Sequence, residues 1–592
     1  MIAAPTAYAS EAGDTLRVQL KNLRASQNGA TDTERLHRFF ESQWKHQMKI
    51  FPESATWNGF PGQNHRWTDY SIKAIEERKA SIPISIETLN SIDRSKLDET
   101  DQLNFDLFQL NLENASKSLA YPEEYLAINQ MGGVQRNVPM LLGMMPKEKA
   151  SDLEDIIARI NGIPTLIDQQ IALLRIGLRK GITPPKITMR DLPLQVEKQI
   201  QFPIKTSPIL SSFRKRPTLI DEMVFNKLQK RAHEAWLTKG KPAFQKLHAF
   251  LEDEYIPGCR QTIGMSDMPD GHDWYGLRAR RSTTTDQSPE VIHQIGLSEV
   301  KRIRGEMEKI RKETGFEGNL QEFFLHLRTD KKFFHDSARG LLAGYRDIAK
   351  RADPELARLF NHLPRNPYGI LPIPSYSEKS QTTAYYMPGS IDASRPGYFF
   401  ANTYELSSRP IWEMEALTLH EAVPGHHLQL SIADELEKLP NFRRKGHYTA
   451  YVEGWGLYSE SLGHMMGFYE DPYSHFGALT YEMWRAIRLV VDTGMHAKGW
   501  TRKQAIDYFK QNAGKSEHDI IVEIDRYIVW PGQALAYKIG QLKILELREL
   551  AQKELGDAFD IRDFHDTILE SGAVPLNILA RRIRSWIKAH QN

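Results

Sequence analysis

The stretch Leu419-His420-Glu421-Ala422-Val423-Pro424-Gly425-His426-His427-Leu428 decides how this chain is read. It holds a His-Glu pair and two further histidines in close succession. A divalent cation needs closely spaced imidazoles, and a water activated beside it needs a neighbouring carboxylate. The spacing His-Glu-x-x-His supplies both on one turn of helix. Here Pro424-Gly425 interrupts that spacing, and removing the two residues leaves His-Glu-Ala-Val-His. The stretch reads as a metal-binding helix with a two-residue insertion between its ligands.

Geometry limits which histidine completes the pair. In an unbroken helix successive residues turn by about 100° and rise by about 1.5 Å. His420 and His426 would then diverge by about 120°, while His420 and His427 would share a face but sit about 10.5 Å apart along the axis. Pro424 lacks a backbone donor and Gly425 tolerates unusual dihedrals, the residue types expected where a helix bulges. If both loop out, His426 takes the ligand place one turn after His420. If three residues are absorbed, His427 takes it.

A hydrolytic zinc site needs a third protein ligand and an open position. The segment from Ala450 to Glu460 reads as a helix flanked by aromatics, with Gly454 and Gly456 allowing close packing against the motif helix. A glutamate buried on such a segment is costly unless paired or bound to a cation, which makes Glu453 the third ligand. Glu460, two turns on, is placed to orient a ligand histidine. Glu413 and Glu415, ahead of the motif, are weaker candidates for that task. All three read equally well as solvated residues. Hydrolysis also requires a donor to the oxyanion that develops on the attacked carbonyl. Tyr527 and Tyr537, in the segment from Glu523 to Lys538, qualify, as does His447. A half-buried core position is the competing reading for each tyrosine.

Three motifs together resemble a known family. His-Glu-Ala-Val-Pro-Gly-His-His-Leu-Gln from His420, Glu-Gly-Trp-Gly-Leu-Tyr from Glu453 and Pro-Gly-Gln-Ala-Leu-Ala-Tyr-Lys-Ile-Gly from Pro531 are similar to the bacterial domain-of-unknown-function 885 family, over at least residues 380–545. The resemblance implies a gluzincin-like zinc metallopeptidase. The interrupted motif departs from the continuous His-Glu-x-x-His of close relatives, and this leaves the second ligand open between His426 and His427. More distantly, Arg526-Tyr527 and the apolar aromatic stretch after it are similar to a segment of angiotensin-converting enzyme, in which the tyrosine of an Arg-Tyr pair contacts the transition state. That analogy implies an oxyanion role for Tyr527 and electrostatic support at the substrate from Arg526.

These residues describe one chemistry. Zinc held by two imidazoles and Glu453 would bring the pKa of a water down toward about 7. Glu421 would act first as base and then as acid toward the leaving amine. Tyr527, with Tyr537 or His447, would donate to the oxyanion. Residues Ile373 to Tyr376, Tyr385 to Ser390 and Gly397 to Tyr404 form short apolar-aromatic runs broken by Pro, Gly and Ser, and predict strands joined by turns. A small sheet there would align an extended peptide along an edge strand. Arg395 and Arg409 lie close in sequence and could hold a terminal carboxylate, favouring carboxypeptidase or dipeptidase action.

The rest of the chain bounds this reading. Its 592 residues are 41% hydrophobic and 26% charged, ordinary for a globular protein that buries a large core. A formal charge of +2 gives no global electrostatic reason to bind nucleic acid or an anionic membrane. No apolar run reaches the 18 residues or so of a membrane-spanning helix. The single cysteine, Cys259, excludes an internal disulfide and has no activating neighbour in sequence. Ala7-Tyr8-Ala9 fits a small-x-small cleavage pattern, so residues 1–9 read either as the remnant of a signal peptide, with a periplasmic or secreted protein, or as a cytoplasmic N-terminus. Apolar residues at three- and four-residue spacing predict helices over most of the length, with loops near 183–217, 265–288 and 364–372.

The expected architecture is mainly α: two helical lobes, residues 1–260 and 261–592, enclosing a cleft, with a small β-sheet next to the metal-binding helix. The expected function is a metallopeptidase with one zinc per chain and a short or unfolded peptide as substrate. The same residues would serve a metal-dependent amide or ester hydrolase of a small metabolite. A non-catalytic metal-binding scaffold is the third reading. Glu421 argues against it, since a structural zinc site takes four ligands and needs no base. The oligomeric state is not encoded in any of these features.

Overall fold

The computed structural model describes residues 6–25, 29–374, 378, 381–389 and 395–591. The protein is mainly α, with one three-stranded sheet among the described residues. It divides into two compact units, Met1–Thr262 and Ile263–Asn592.

The first unit is organised by the helix Ala150–Lys180 (α1). Leu153, Ile156, Ile157, Ile160, Ile163, Ile167, Ile171 and Leu174 follow the helical period and are all buried. Trp236, Phe244 and Tyr255 close the same core. The helix ends where Gly181 turns to φ 69°, a left-handed conformation that glycine adopts without a Cβ clash. A later helix, Glu222–Ala235 (α2), begins at Asp221, whose carboxylate accepts from the backbone N–H groups of Met223 and Val224. Cys259 is buried and unpaired, and burial pushes its thiol up to about 12, so it stays protonated and inert.

The second unit holds the helices Pro289–Glu313 (α3), Met414–Glu421 (α4), His426–Glu435 (α5), Thr449–Ser461 (α6), Pro472–Ala497 (α7), Glu517–Val529 (α8) and Ala536–Leu555 (α9). Helix α7 packs along α3, and α6 packs along α9. The second pairing is unusually close: a Cβ on Gly540 would fall 2.0 Å from the carbonyl oxygen of Ala450. The sheet contains Tyr368–Pro372 (β1), Ala384–Met387 (β2) and Gly397–Ala401 (β3) in the order β1-β3-β2. Strand β3 runs parallel to β1 and antiparallel to β2, with Phe399 opposite both Ile370 and Tyr386. Strand β2 is an edge strand among the described residues and packs against α4.

All three expected loops contain regular structure: near 183–217 the helix Leu192–Gln201 buries Leu192 and Val196. Residues 368–372 are strand β1, hidden in the sequence because Gly369 and Pro372 read as breakers. The stretch near 265–288 contains a helix, Gly271–Thr283, which buries Trp274, Tyr275, Leu277 and Ala279. Of the expected strand residues, Ser375, Tyr376 and Ser390 lie outside the described residues. So do residues 1–5 of the segment read as a signal remnant; Thr6 to Ala9 begin a helix that runs to Ala25.

Candidate metal centre

The motif does not form one bulged helix. Helix α4 ends at Glu421 and α5 starts at His426, with Ala422 to Gly425 as a tight loop between them. Pro424 has no N–H to continue the first helix, and Gly425 leaves helical dihedrals at φ −75°, ψ −131°. The loop folds back so far that a Cβ on Gly425 would lie 1.9 Å from the His420 carbonyl oxygen. The N–H of His427 bonds to the Ala422 carbonyl at 3.1 Å, and that of Gln429 to the Gly425 carbonyl at 3.1 Å. The loop thus uses its backbone groups to join the two helices while bringing their ends together.

That turn places His426 against His420. The ring centroids are 4.7 Å apart and the ring planes lie at 84°. Glu453 on α6 completes the group: its Oε2 is 3.7 Å from His420 Nε2 and 3.5 Å from His426 Nε2. One donor atom from each of the three lies within 4.8 Å of the others. Two imidazole nitrogens and a carboxylate oxygen converging from different directions suit a tetrahedral divalent ion with one open position. The other side of the His420 ring is fixed, with Nδ1 2.8 Å from Glu460 Oε1. That contact directs Nε2 toward the shared centre. Burial alone would lower the His420 pKa, but Glu453 and Glu460 outweigh it and raise the pKa to about 9. Glu453 is held well below the usual carboxylate range by the two imidazoles, against the opposing effect of burial. A cation at the centre would replace the proton these groups share.

Four consecutive residues of α6 each do something different. Glu453 points into the centre. Gly454 permits the close crossing with Gly540 of α9. Trp455 donates its Nε1–H to the Pro424 carbonyl at 2.9 Å and pins the interrupting loop. Gly456 faces His420, where a Cβ would lie 2.8 Å from the ring. The expectation that both glycines admit the motif helix is therefore met by Gly456, whereas Gly454 admits α9.

His427 is turned away from this group. Its Nδ1 is 2.8 Å from the Tyr386 hydroxyl and 3.3 Å from Ser431 Oγ, and its ring packs on Tyr368 at 4.5 Å. Burial lowers its pKa to about 4, so it is neutral. The loop absorbs two residues, not three, and His427 becomes a link to the sheet. Glu413 and Glu415 do not orient a ligand either. Glu413 pairs with the buried Lys515 at 2.5 Å, and Glu415 accepts from the Tyr469 N–H at 3.0 Å.

Glu421 follows His420 on the last turn of α4 and is largely buried. Among the described residues its carboxylate has no hydrogen bond or ion pair. The tyrosines separate clearly. The Tyr527 hydroxyl is saturated: it accepts from Arg488 Nε at 2.8 Å and Trp484 Nε1 at 2.9 Å, and donates to Glu523 Oε2 at 2.6 Å. Burial raises its pKa further. The expected oxyanion donor is thus a buried structural group, because the Arg-Tyr pair turns its tyrosine toward α7. Tyr537 lies beside the centre instead, stacked on His420 at 6.5 Å with the planes 19° apart. Its hydroxyl accepts from Arg526 Nη2 at 3.2 Å, and Arg488 covers its ring at 4.3 Å. Arg526 is further tied to Glu523 and Gln533. His447 senses the centre electrostatically: desolvation lowers its pKa, Glu453 opposes that and His426 adds to it.

Arg409 lines a small open depression with Thr382, Thr383, Tyr404 and His518. Its Nη1 bonds to Thr383 Oγ1 and the Ser408 carbonyl, and lies 3.8 Å from Asp519. Its buried Nε has no partner among the described residues. Arg395 is half-buried at the start of the segment leading into β3, where its carbonyl accepts from Asn366. Sequence reading missed Arg485 and Arg488. The signal was present, since two arginines three residues apart in the apolar stretch of α7 must be paired when buried.

The family profile for bacterial proteins of unknown function, DUF885, matches residues 52–583. The chain belongs to the DUF885 family. Two solved structures are similar to this DUF885 chain, both described as a "putative lipoprotein". The one from Colwellia psychrerythraea is 28% identical with a TM-score of 0.89, covering 94% of this chain and 100% of its own. The one from Shewanella oneidensis, described as of unknown function, is 16% identical with a TM-score of 0.69, covering 92% and 99%. Pyrococcus furiosus carboxypeptidase in an apo-Mg form aligns with a TM-score of only 0.28 at 13% identity, which assigns no common fold. No curated protein matches the chain.

Proposed function

We propose that this DUF885 protein is a zinc-dependent metallopeptidase that trims short or unfolded peptides from the C-terminal end. The observation that carries the reading is the convergence of His420, His426 and Glu453 beside the unpaired carboxylate of Glu421. A zinc ion held by those three residues would supply Lewis acidity to a water and to the scissile carbonyl. Glu421 takes the proton of the attacking water and passes it to the leaving amine. Tyr537 donates its O–H to the developing oxyanion, while Arg526 holds the phenol oxygen in place. Gluzincins use the same division of labour between a metal helix, a following glutamate and an edge strand. Strand β2 has an outer edge that pairs with no strand among the described residues, and it packs against α4. A peptide added antiparallel to that edge has its C-terminal end beside Thr382 and Thr383, where Arg409 can take a carboxylate. The description of both structural neighbours as lipoproteins supports an envelope location over a cytoplasmic one.

The test is zinc-loaded full-length protein incubated with a peptide mixture carrying free or amidated C-termini. Chelator-sensitive shortening of the free-ended peptides, abolished in Glu421→Gln with zinc retained, is the expected result. Zinc binding without cleavage of any peptide would sink the peptidase reading, and turnover of small amides or esters in its place would select a metabolite hydrolase.

A further inference from the structure

The most exposed large apolar side chains of the described residues lie together, far in sequence from the metal motif. Met223 is 81% exposed and Leu219 is 78% exposed, and Val224 beside them is 42% exposed. A single exposed leucine is ordinary, whereas neighbouring ones at a helix start mark a contact surface. They occupy the turn into α2, where Asp221 caps the helix with two hydrogen bonds. The apolar groups are therefore held outward on an ordered element.

Charge identifies the partner. From Arg214 to Lys230 the chain carries Arg214, Lys215, Arg216, Lys227 and Lys230 against Asp221 and Glu222. All five basic residues are exposed, and among the described residues none of them forms an ion pair. The Arg214 and Arg216 guanidinium groups donate only to backbone carbonyls, of Thr206, Ser207 and Ile220, so their charge is uncompensated. Exposed apolar side chains with five unpaired cations near them in sequence, against the two carboxylates of Asp221 and Glu222, match the interface of an anionic bilayer, with headgroups for the cations and acyl boundary for Leu219 and Met223. A protein partner of the same character would need an apolar recess with an acidic rim; the lipid surface needs only its ordinary composition.

We infer that the Leu219–Met223 turn is a membrane-docking surface that seats the first unit on anionic lipid. The experiment is co-sedimentation of the full chain with vesicles of phosphatidylglycerol and phosphatidylcholine in equal parts, compared with phosphatidylcholine alone. Wild type should bind the mixed vesicles, and less so as salt rises. Leu219→Asp with Met223→Asp should weaken binding by about tenfold or more, the scale of two apolar side chains withheld from the interface. Lys215→Glu with Lys227→Glu should weaken it at low salt and lose that effect at high salt. Both pairs are exposed, so an unchanged melting temperature checks that the fold is retained. Binding that is absent in wild type, equal on the two vesicle types, or unchanged by the aspartates would overturn the inference. So would a dimer that the aspartates dissociate while vesicle binding stays the same.

Discussion

His420 Nδ1 and Glu460 Oε1 are 2.8 Å apart inside the second unit, and both side chains are almost completely buried. Glu460 also lies 3.6 Å from Arg485, so the carboxylate is held between an imidazole and a guanidinium. This contact fixes which nitrogen of His420 faces Glu453. Glu460→Gln should preserve the shape but remove the charge that orients the ring. The expected result is a 10–100-fold loss of zinc affinity, typical of removing such a partner, measured by competition with a calibrated chelator. An unchanged affinity would show that the ring is positioned by Gly456 packing alone.

His426 and His427 are adjacent in sequence, yet His426 faces His420 and Glu453 while His427 faces Tyr386 and Tyr368. His426→Ala should abolish zinc retention through dialysis, read by elemental mass spectrometry, with little change in the melting temperature of metal-free protein. His427→Ala should retain zinc and lose stability, by about 1–3 kcal/mol, since it leaves the Tyr386 hydroxyl and the Tyr368 ring without their partner. Equal zinc loss in both variants would contradict the assignment.

The two histidines also show how far the sequence could be read. Periodicity identified the helices because their apolar stripes are long, as in α1, and turn chemistry placed β2 and β3. Residue type and spacing named His420, Glu453 and either His426 or His427 as candidates, and the structure brings the first two together with His426. What spacing could not supply was the path of the chain through Pro424-Gly425: a bulge within one helix and a turn between two helices both require those residues. The two tyrosines could not be told apart for a related reason. Tyr527 and Tyr537 sit equally well in a local pattern, and only the packing of α8 and α9 against α7 decides that Arg488 saturates the first and covers the second. Strand β1 was lost because its pairing with β3 is parallel and non-local, so no hairpin signal marks it.

Tyr527→Phe and Tyr537→Phe should therefore differ in kind. The first removes a hydroxyl with three partners and leaves Glu523, Arg488 and Trp484 short of a hydrogen bond, an expected loss of about 1–3 kcal/mol of stability with kcat largely kept. The second should keep stability and lower kcat by about 10²–10³ with KM little changed, as when an oxyanion donor is removed. Denaturant melts and peptide-hydrolysis kinetics on the same preparations separate them. A Tyr527→Phe protein that folds normally and has lost kcat would return the oxyanion role to the Arg-Tyr pair.

Asp492 predicts a pH dependence of stability with a definite sign. It is fully buried on α7, accepts from the Tyr275 hydroxyl at 2.7 Å and from the Gly532 N–H at 3.0 Å, and so anchors the turn between α8 and α9. Burial raises its pKa from 3.8 to about 7, against the lowering effects of those hydrogen bonds and of Arg488. The folded protein therefore binds a proton that the unfolded chain releases near pH 4. Its contribution is fully present below that value and is lost as pH rises toward 7, with a slope of at most about 1.4 kcal/mol per pH unit. Asp492→Asn keeps an acceptor for both donors and cannot ionise. Urea unfolding of the two proteins between about pH 4 and 7 should thus show a stability difference that grows in favour of the asparagine variant as pH rises. Titration at the metal centre is common to both proteins and cancels in that difference. Parallel pH profiles would mean that Asp492 is ionised throughout and that Arg488 compensates it.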